Sequence, residues 1–302
     1  MARKILIGIF IAVAAGVILK FLPGLSQAPT GPGSATADGP PSSVEPSTSS
    51  SPTSSPSSMV PLDVQLTFNP LASPDLEVGK VYEVSGRLVP ALPGASVQIT
   101  ANDTVLADAV VDNEGGFSTS FEFPAPGRQV ELIASLAASP RNQEATATSG
   151  KYDVYGWTNL SDLKPLSASG NFASDRQQDL KGQQYDHSLV FYWSAGSFGG
   201  WSRGDATYNL AAKCLQFTAL VGPEDNSPGD NAQWSFTISS GSRDTTSGYA
   251  SVFKPKLLEL NLKGAPRLKI EASRKKGPNE NRDWKPYQGD GVVADPKILC
   301  LP

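Results

Sequence analysis

The chain has 302 residues, a formal net charge of -4, 28 glycines, 25 prolines, two cysteines and one histidine. That length suits about two domains, and Gly/Pro punctuation between short alternating segments favours β structure over helix. The mild acidity argues against nucleic acid as a partner: the one basic run, Arg274-Lys275-Lys276, is short and followed by acids. Neither Cys214 nor Cys300 lies in a C-x-x-C pair, which argues against a cysteine zinc site. Outside the cytosol the two are expected to form one disulfide; the alternative is two buried thiols.

The first element is apolar. Arg3 and Lys4 precede Ile5 to Leu22, 18 residues containing one charge, Lys20, and ended by Pro23-Gly24. As a helix this run spans about 27 Å, close to a bilayer core of about 30 Å. Basic residues at its start hold that end in the cytoplasm. Residues 1–25 are therefore read as an anchor, giving a single-pass cell-membrane protein with its later domains extracellular. The alternative is a cleaved signal, with Ser26-Gln27-Ala28 or Ala35-Thr36-Ala37 as its site, and a secreted product.

Residues 26–60 read as a disordered stalk. Ser26 to Ser58 holds no aromatic residue and two charges, Asp38 and Glu45. Such a segment buries too little apolar area to offset the entropy of ordering. Extended as polyproline it reaches on the order of 100 Å.

Residues 61–154 alternate. The segments are Val64–Phe68, Val81–Leu88, Ala95–Ala101, Val105–Val111, Gly116–Phe123, Gln129–Leu136 and Glu144–Val154. Seven short strands separated by turn residues predict a two-sheet sandwich. Pro93-Gly94-Ala95-Ser96-Val97 and the later Asp112–Phe117 resemble elements of bacterial immunoglobulin-like domains. That resemblance implies a spacer, and Asp112 and Glu114 are read as turn residues.

Residues 155–302 alternate with more rings. Leu215, Phe217, Ala219 and Val221 share one face by period two. So do Trp234, Phe236 and Ile238, then Leu258, Leu260 and Leu262, then Leu268, Ile270 and Ala272. A second antiparallel sandwich follows, and the fold class is all-β. Trp157 and Trp234 are read as core or sheet-packing residues, and His187 as a strand-edge residue.

Within this half, Tyr208-x-Leu210, Phe217, Val221-Gly222, Asp225 and Ala294-Asp295-Pro296-Lys297-Ile298 stand in the order of the NPCBM family, the novel putative carbohydrate-binding module. The chain resembles that family over about residues 155 to 302. It departs at Tyr185-Asp186-His187-Ser188-Leu189, where the family carries Gly-Ile-Gly-x-His-Ala, and at Val293, where it carries Trp. The resemblance implies a jelly-roll sandwich that binds glycans without catalysis, its partner a cell-surface or cell-wall polysaccharide. The alternative partner is a protein, in an adhesion or assembly role.

Stacking of a ring on a pyranose face, with polar groups on the hydroxyls, is the chemistry such a site needs. Trp284 and Tyr287, with Asn281, Arg282, Asp283 and Asp290, form the first candidate; Trp193, Phe198 and Trp201 form a second. Each ring has the competing role of packing over the sandwich edge. The loop after Gly222 carries Glu224, Asp225, Asn226, Asp230 and Asn231, oxygens suited to a structural calcium. A connecting turn at Pro228-Gly229 explains the same residues. No other cofactor is expected. A lone histidine and the lack of a nucleophile motif argue against hydrolase chemistry.

Overall fold

The computed structural model describes residues 61–170, 172–192, 203–227, 233–241, 244–275 and 289–302. The apolar run Ile5–Leu22 and the stalk lie outside the described residues. Among the described residues no helix is long and apolar enough to cross a membrane. Those residues are all-β apart from one 3-10 turn at Leu160–Asp162. Residues Ser57–Pro302 form one compact unit by contact, and it holds two principal buried clusters.

The first cluster lies between two sheets built from eight strands. These are β1 (Gln65–Phe68), β2 (Asp75–Glu77), β3 (Val81–Val89), β4 (Ser96–Ala101), β5 (Thr104–Val110), β6 (Gly116–Glu122), β7 (Gly127–Leu136) and β8 (Ala145–Asn159). One sheet runs β1-β3-β6, and the facing one continues β8-β7-β4-β5. Strand alternation buries Val84 and Leu88 of β3 and Phe117 and Phe121 of β6. They share a core with Val97 and Ile99 of β4 and Leu132 and Ala134 of β7. Asp112 accepts hydrogen bonds from the amides of Glu114 and Gly116, at 2.9 and 2.7 Å, so this acidic motif closes a turn.

The second cluster is built from β9 (Ser167–Ser169), β10 (Phe172–Ala173), β11 (Gln178–Leu180), β12 (Gln183–Tyr185), β13 (Ser188–Phe191), β14 (Arg203–Asn209), β15 (Cys214–Pro223), β16 (Gln233–Ser239), β17 (Thr245–Ser251), β18 (Lys256–Asn261), β19 (Arg267–Lys275) and β20 (Gly291–Cys300). One sheet runs β17-β16-β19-β14-β9. In the other, β15 lies between β18 and β20, and the far side of β20 is shared end to end by β13 and β8. The alternating faces read from sequence meet here. Trp234, Phe236, Ile238, Leu268 and Ile270 pack with Phe217, Val221, Leu258 and Val293, none more than 2 % exposed. Cys214 and Cys300 form a disulfide between the paired ends of β15 and β20.

Three elements differ from the sequence reading. Strand β8 continues to Asn159, five residues past Val154, because its later part gains a new partner in β20. Strand β2 runs parallel to β8; its three residues are too few to show a period. Leu215 leaves the buried face of β15 because a bulge between Cys214 and Gln216 shifts the register there.

Candidate functional site

The polar loop after Gly222 does not close a hairpin. β15 and β16 belong to different sheets, so the strands on either side of this loop lie in different layers of the sandwich. Its first residues are fastened at several points. The amide of Glu224 donates to the carbonyl of Asp290 (3.0 Å), and that of Asp225 to the carbonyl of Asp179 (3.0 Å). Asp225 returns two hydrogen bonds through its carboxylate, accepting from the amides of Lys181 (2.7 Å) and Gly182 (2.5 Å). Its charge therefore caps the β11–β12 turn, where Lys181 and Gly182 have φ of +55° and +74°.

The second polar loop arrives at the same place. Gly289, at φ +74°, lies directly against Ser227: a Cβ there would sit 1.6 Å from the Ser227 hydroxyl. Gly291 pairs with Pro223. Glu224 and Asp290 are buried, Asp225 is half-buried and Asn226 is exposed. The structure thus brings the Glu224–Ser227 and Gly289–Asp290 segments together at one end of the sandwich, beside the β11–β12 hairpin. Spacing along the chain offers no reason to join them.

Asp230, Asn231, Asn281, Arg282, Asp283, Trp284, Tyr287, Trp193, Phe198 and Trp201 lie outside the described residues. Trp234 is fully buried, as its alternating strand predicts. Trp157 is not a core residue: it is 39 % exposed, and its indole N–H donates to the Glu77 carboxylate at 2.7 Å. The parallel strand β2 brings Glu77 there.

His187 directly precedes β13, and its carbonyl accepts from the Asp295 amide at 2.8 Å. Its Nδ1 also faces Asp162 at 3.7 Å and Asp175 at 3.4 Å, and the three ligand atoms lie within 4.8 Å of one another. Sequence reading missed this group because its members come from three separate segments. The buried Tyr208 hydroxyl has no hydrogen-bond partner among the described residues, and burial pushes its pKa up. Tyr155 is also raised, by burial first and then by the neighbouring charges of Asp75 and Asp153.

No protein-family model and no curated protein matches the chain. Solved structures similar to it include three from Clostridium perfringens. The M60 catalytic domain with the CBM51-1 and CBM51-2 domains of ZmpB is 13% identical over 79% of this chain and 31% of that chain, with a TM-score of 0.37. CBM51-2 in complex with GlcNAc and the INT domains of ZmpB is 15% identical over 79% of this chain and 48% of that chain, with a TM-score of 0.37. CBM51 of GH95 in complex with methyl-galactose is 18% identical over 47% of this chain and 99% of that chain, with a TM-score of 0.33. This chain therefore spans a third to a half of the two ZmpB structures. At these TM-scores the likenesses assign it neither fold nor function; each of the three structures contains a CBM51 domain, in one case beside an M60 catalytic domain.

Proposed function

We propose that the chain is a non-catalytic glycan-binding protein. In this reading residues 155–302 form an NPCBM-like module, residues 61–154 an immunoglobulin-like spacer, and the stalk and Ile5–Leu22 hold both at the outer face of a cell membrane. The observation that carries the proposal is the junction of two polar loops at one end of a closed sandwich, fastened by Glu224 to Asp290 and by Asp225 to Lys181 and Gly182. A buried apolar core supports that end, so ligand contacts there are carried on packed strands. The family-like positions Tyr208, Phe217, Val221 and Ala294–Ile298 fall on strands of the same sandwich. In this reading Trp284 and Tyr287 stack on the sugar, and a calcium, if the loop holds one, is structural.

A glycan array run with the full-length chain in mild detergent, with calcium and then with a chelator, tests this. GlcNAc- and galactose-terminated glycans are the first ligands to include. Retention of neutral glycans is expected, and Trp284→Ala is expected to weaken it about ten-fold with folding unchanged. Retention of no saccharide under either condition overturns the proposal.

A further inference from the structure

A cleft of about 460 Å³ opens where the two buried clusters meet, lined by Asp75, Gln216, Glu259, Asn261, Lys263 and Leu299 among others. Its floor is the outer face of the β8-β20-β15-β18 sheet. Leu299 stands opposite Trp157 on one side and Gln216 on the other, and Gln216 stands opposite Asn261. Directly opposed residues of antiparallel strands project from the same face. Trp157, Leu299, Gln216 and Asn261 therefore form one row across four strands. In the next row Thr218 stands between Lys297 and Glu259. The bulge before Gln216 places Leu215 in the cleft lining as well.

This is an unusual surface for a sheet exterior. Trp157 is 39 % exposed, yet its N–H edge is tied to Glu77 at 2.7 Å, so the indole is held in one orientation before any ligand arrives. The solvent-facing Trp157 ring offers a flat platform, and Leu299 beside it is buried, at 5 % exposed, and serves as apolar floor. The amides of Gln216 and Asn261 supply donors and acceptors, and the Glu259 carboxylate supplies acceptors. Asp75 and Lys263 form an ion pair of 2.9 Å at the wall, which leaves Glu259 as the uncompensated charge among the described lining residues. An anionic ligand would meet like charge there. A volume of this size, at the meeting of two cores, suits a few sugar rings.

We infer that this cleft is a second glycan site, distinct from the loop end, that takes an uncharged oligosaccharide with Gln216, Asn261 and Glu259 on its hydroxyls and with Trp157, which stands beyond Leu299 at the edge of the cleft and not in its lining, under a ring. The inference rests on the glycan-binding reading above but not on the loops assigned there.

The test uses the full-length chain in mild detergent and the neutral oligosaccharides it retains. Affinity is measured for wild type, Trp157→Ala, the Gln216→Ala/Asn261→Ala pair and Trp284→Ala, with circular dichroism as the folding control. Both amides of the pair are on a partly solvated face, so this variant keeps its fold even if Trp157→Ala does not. Hydrogen exchange with saturating ligand provides a readout free of mutation. At least one retained oligosaccharide is expected to bind the amide pair at least ten-fold more weakly, and to protect residues 215–218 and 257–261. Binding that is lost in Trp284→Ala, unchanged in the amide pair and without that protection overturns the cleft and spares the proposed function. Retention of charged glycans alone overturns the cleft and spares the proposed function, and retention of no saccharide by wild type overturns both.

Discussion

Trp234 sits fully buried on β16, and atoms of its ring would lie 2.5 to 2.8 Å from a Cβ added at Gly291. The glycine lets the β20 backbone lie flat on the indole. Gly291→Ala is expected to lower stability by about 1–3 kcal/mol, because the ring has no free space to move into; urea denaturation measures this. The opposite outcome is expected at Tyr208. Its hydroxyl is enclosed without a partner among the described residues, so Tyr208→Phe should raise stability by about 1 kcal/mol. Tyr155 and Tyr208 are both held above the ordinary phenol range. The folded state therefore keeps these protons more tightly than the unfolded chain. Their contribution is full below pH about 10 and is lost as pH rises toward the folded values. Tyr208→Phe should flatten part of that alkaline decline in a pH series of melting temperatures.

Among the elements, β20 shows how local backbone geometry sets a sheet. Its first residues pair with β13 and its last with β8, while β15 follows its other side. Asp295, at φ +46°, lies near this change of partner and donates to His187. The disulfide then ties the last residue of β20 to the first of β15. It joins residues 86 apart in sequence, and closing a loop of that length stabilises by about 4.6 kcal/mol in the chain-entropy model. Reduction should lower the melting temperature, and Cys214→Ala/Cys300→Ala should reproduce the loss. On the facing sheet, hydrogen bonds from Lys269 and then Arg203 hold Glu271 below its usual range. Its contribution is present above pH about 4.3 and is lost as pH falls through the lower folded value. Being part of an exposed cluster, it is worth no more than about 1 kcal/mol, and Glu271→Gln should remove that acid dependence.

At the scale of the whole Ser57–Pro302 unit, one strand serves both clusters. Ala145–Val154 of β8 pairs with β7, and Gly156–Asn159 pairs with β20. The Asp75–Lys263 ion pair and the Trp157–Glu77 hydrogen bond cross the same junction. Strain or loss of order on one side is therefore transmitted along a continuous backbone. Insertion of two glycines between Tyr155 and Gly156 is expected to turn one urea transition into two, read by far-UV circular dichroism because residues 61–154 contain no tryptophan. A single unchanged transition would mean that the strand does not couple the clusters.

Strand type and most inward faces are legible in the order of residues. Trp234, Phe236 and Ile238 are buried because alternation is a local property, repeated every second residue and visible without knowing any partner. Asp112 is legible as a turn residue for the same reason, since its carboxylate meets amides two and four residues on and needs only local chain to do so. Which strands pair, and where the pairing slips, came only with the folded chain. Leu215 turns outward because of a bulge that depends on β20, and Trp157 stays exposed because β2 delivers Glu77 beside it. The Asp225 cap, the His187 group and the cleft are likewise made from residues far apart in the chain. Period two sets which way a side chain points from its own strand, but what stands opposite is set by register and topology, which no local pattern encodes.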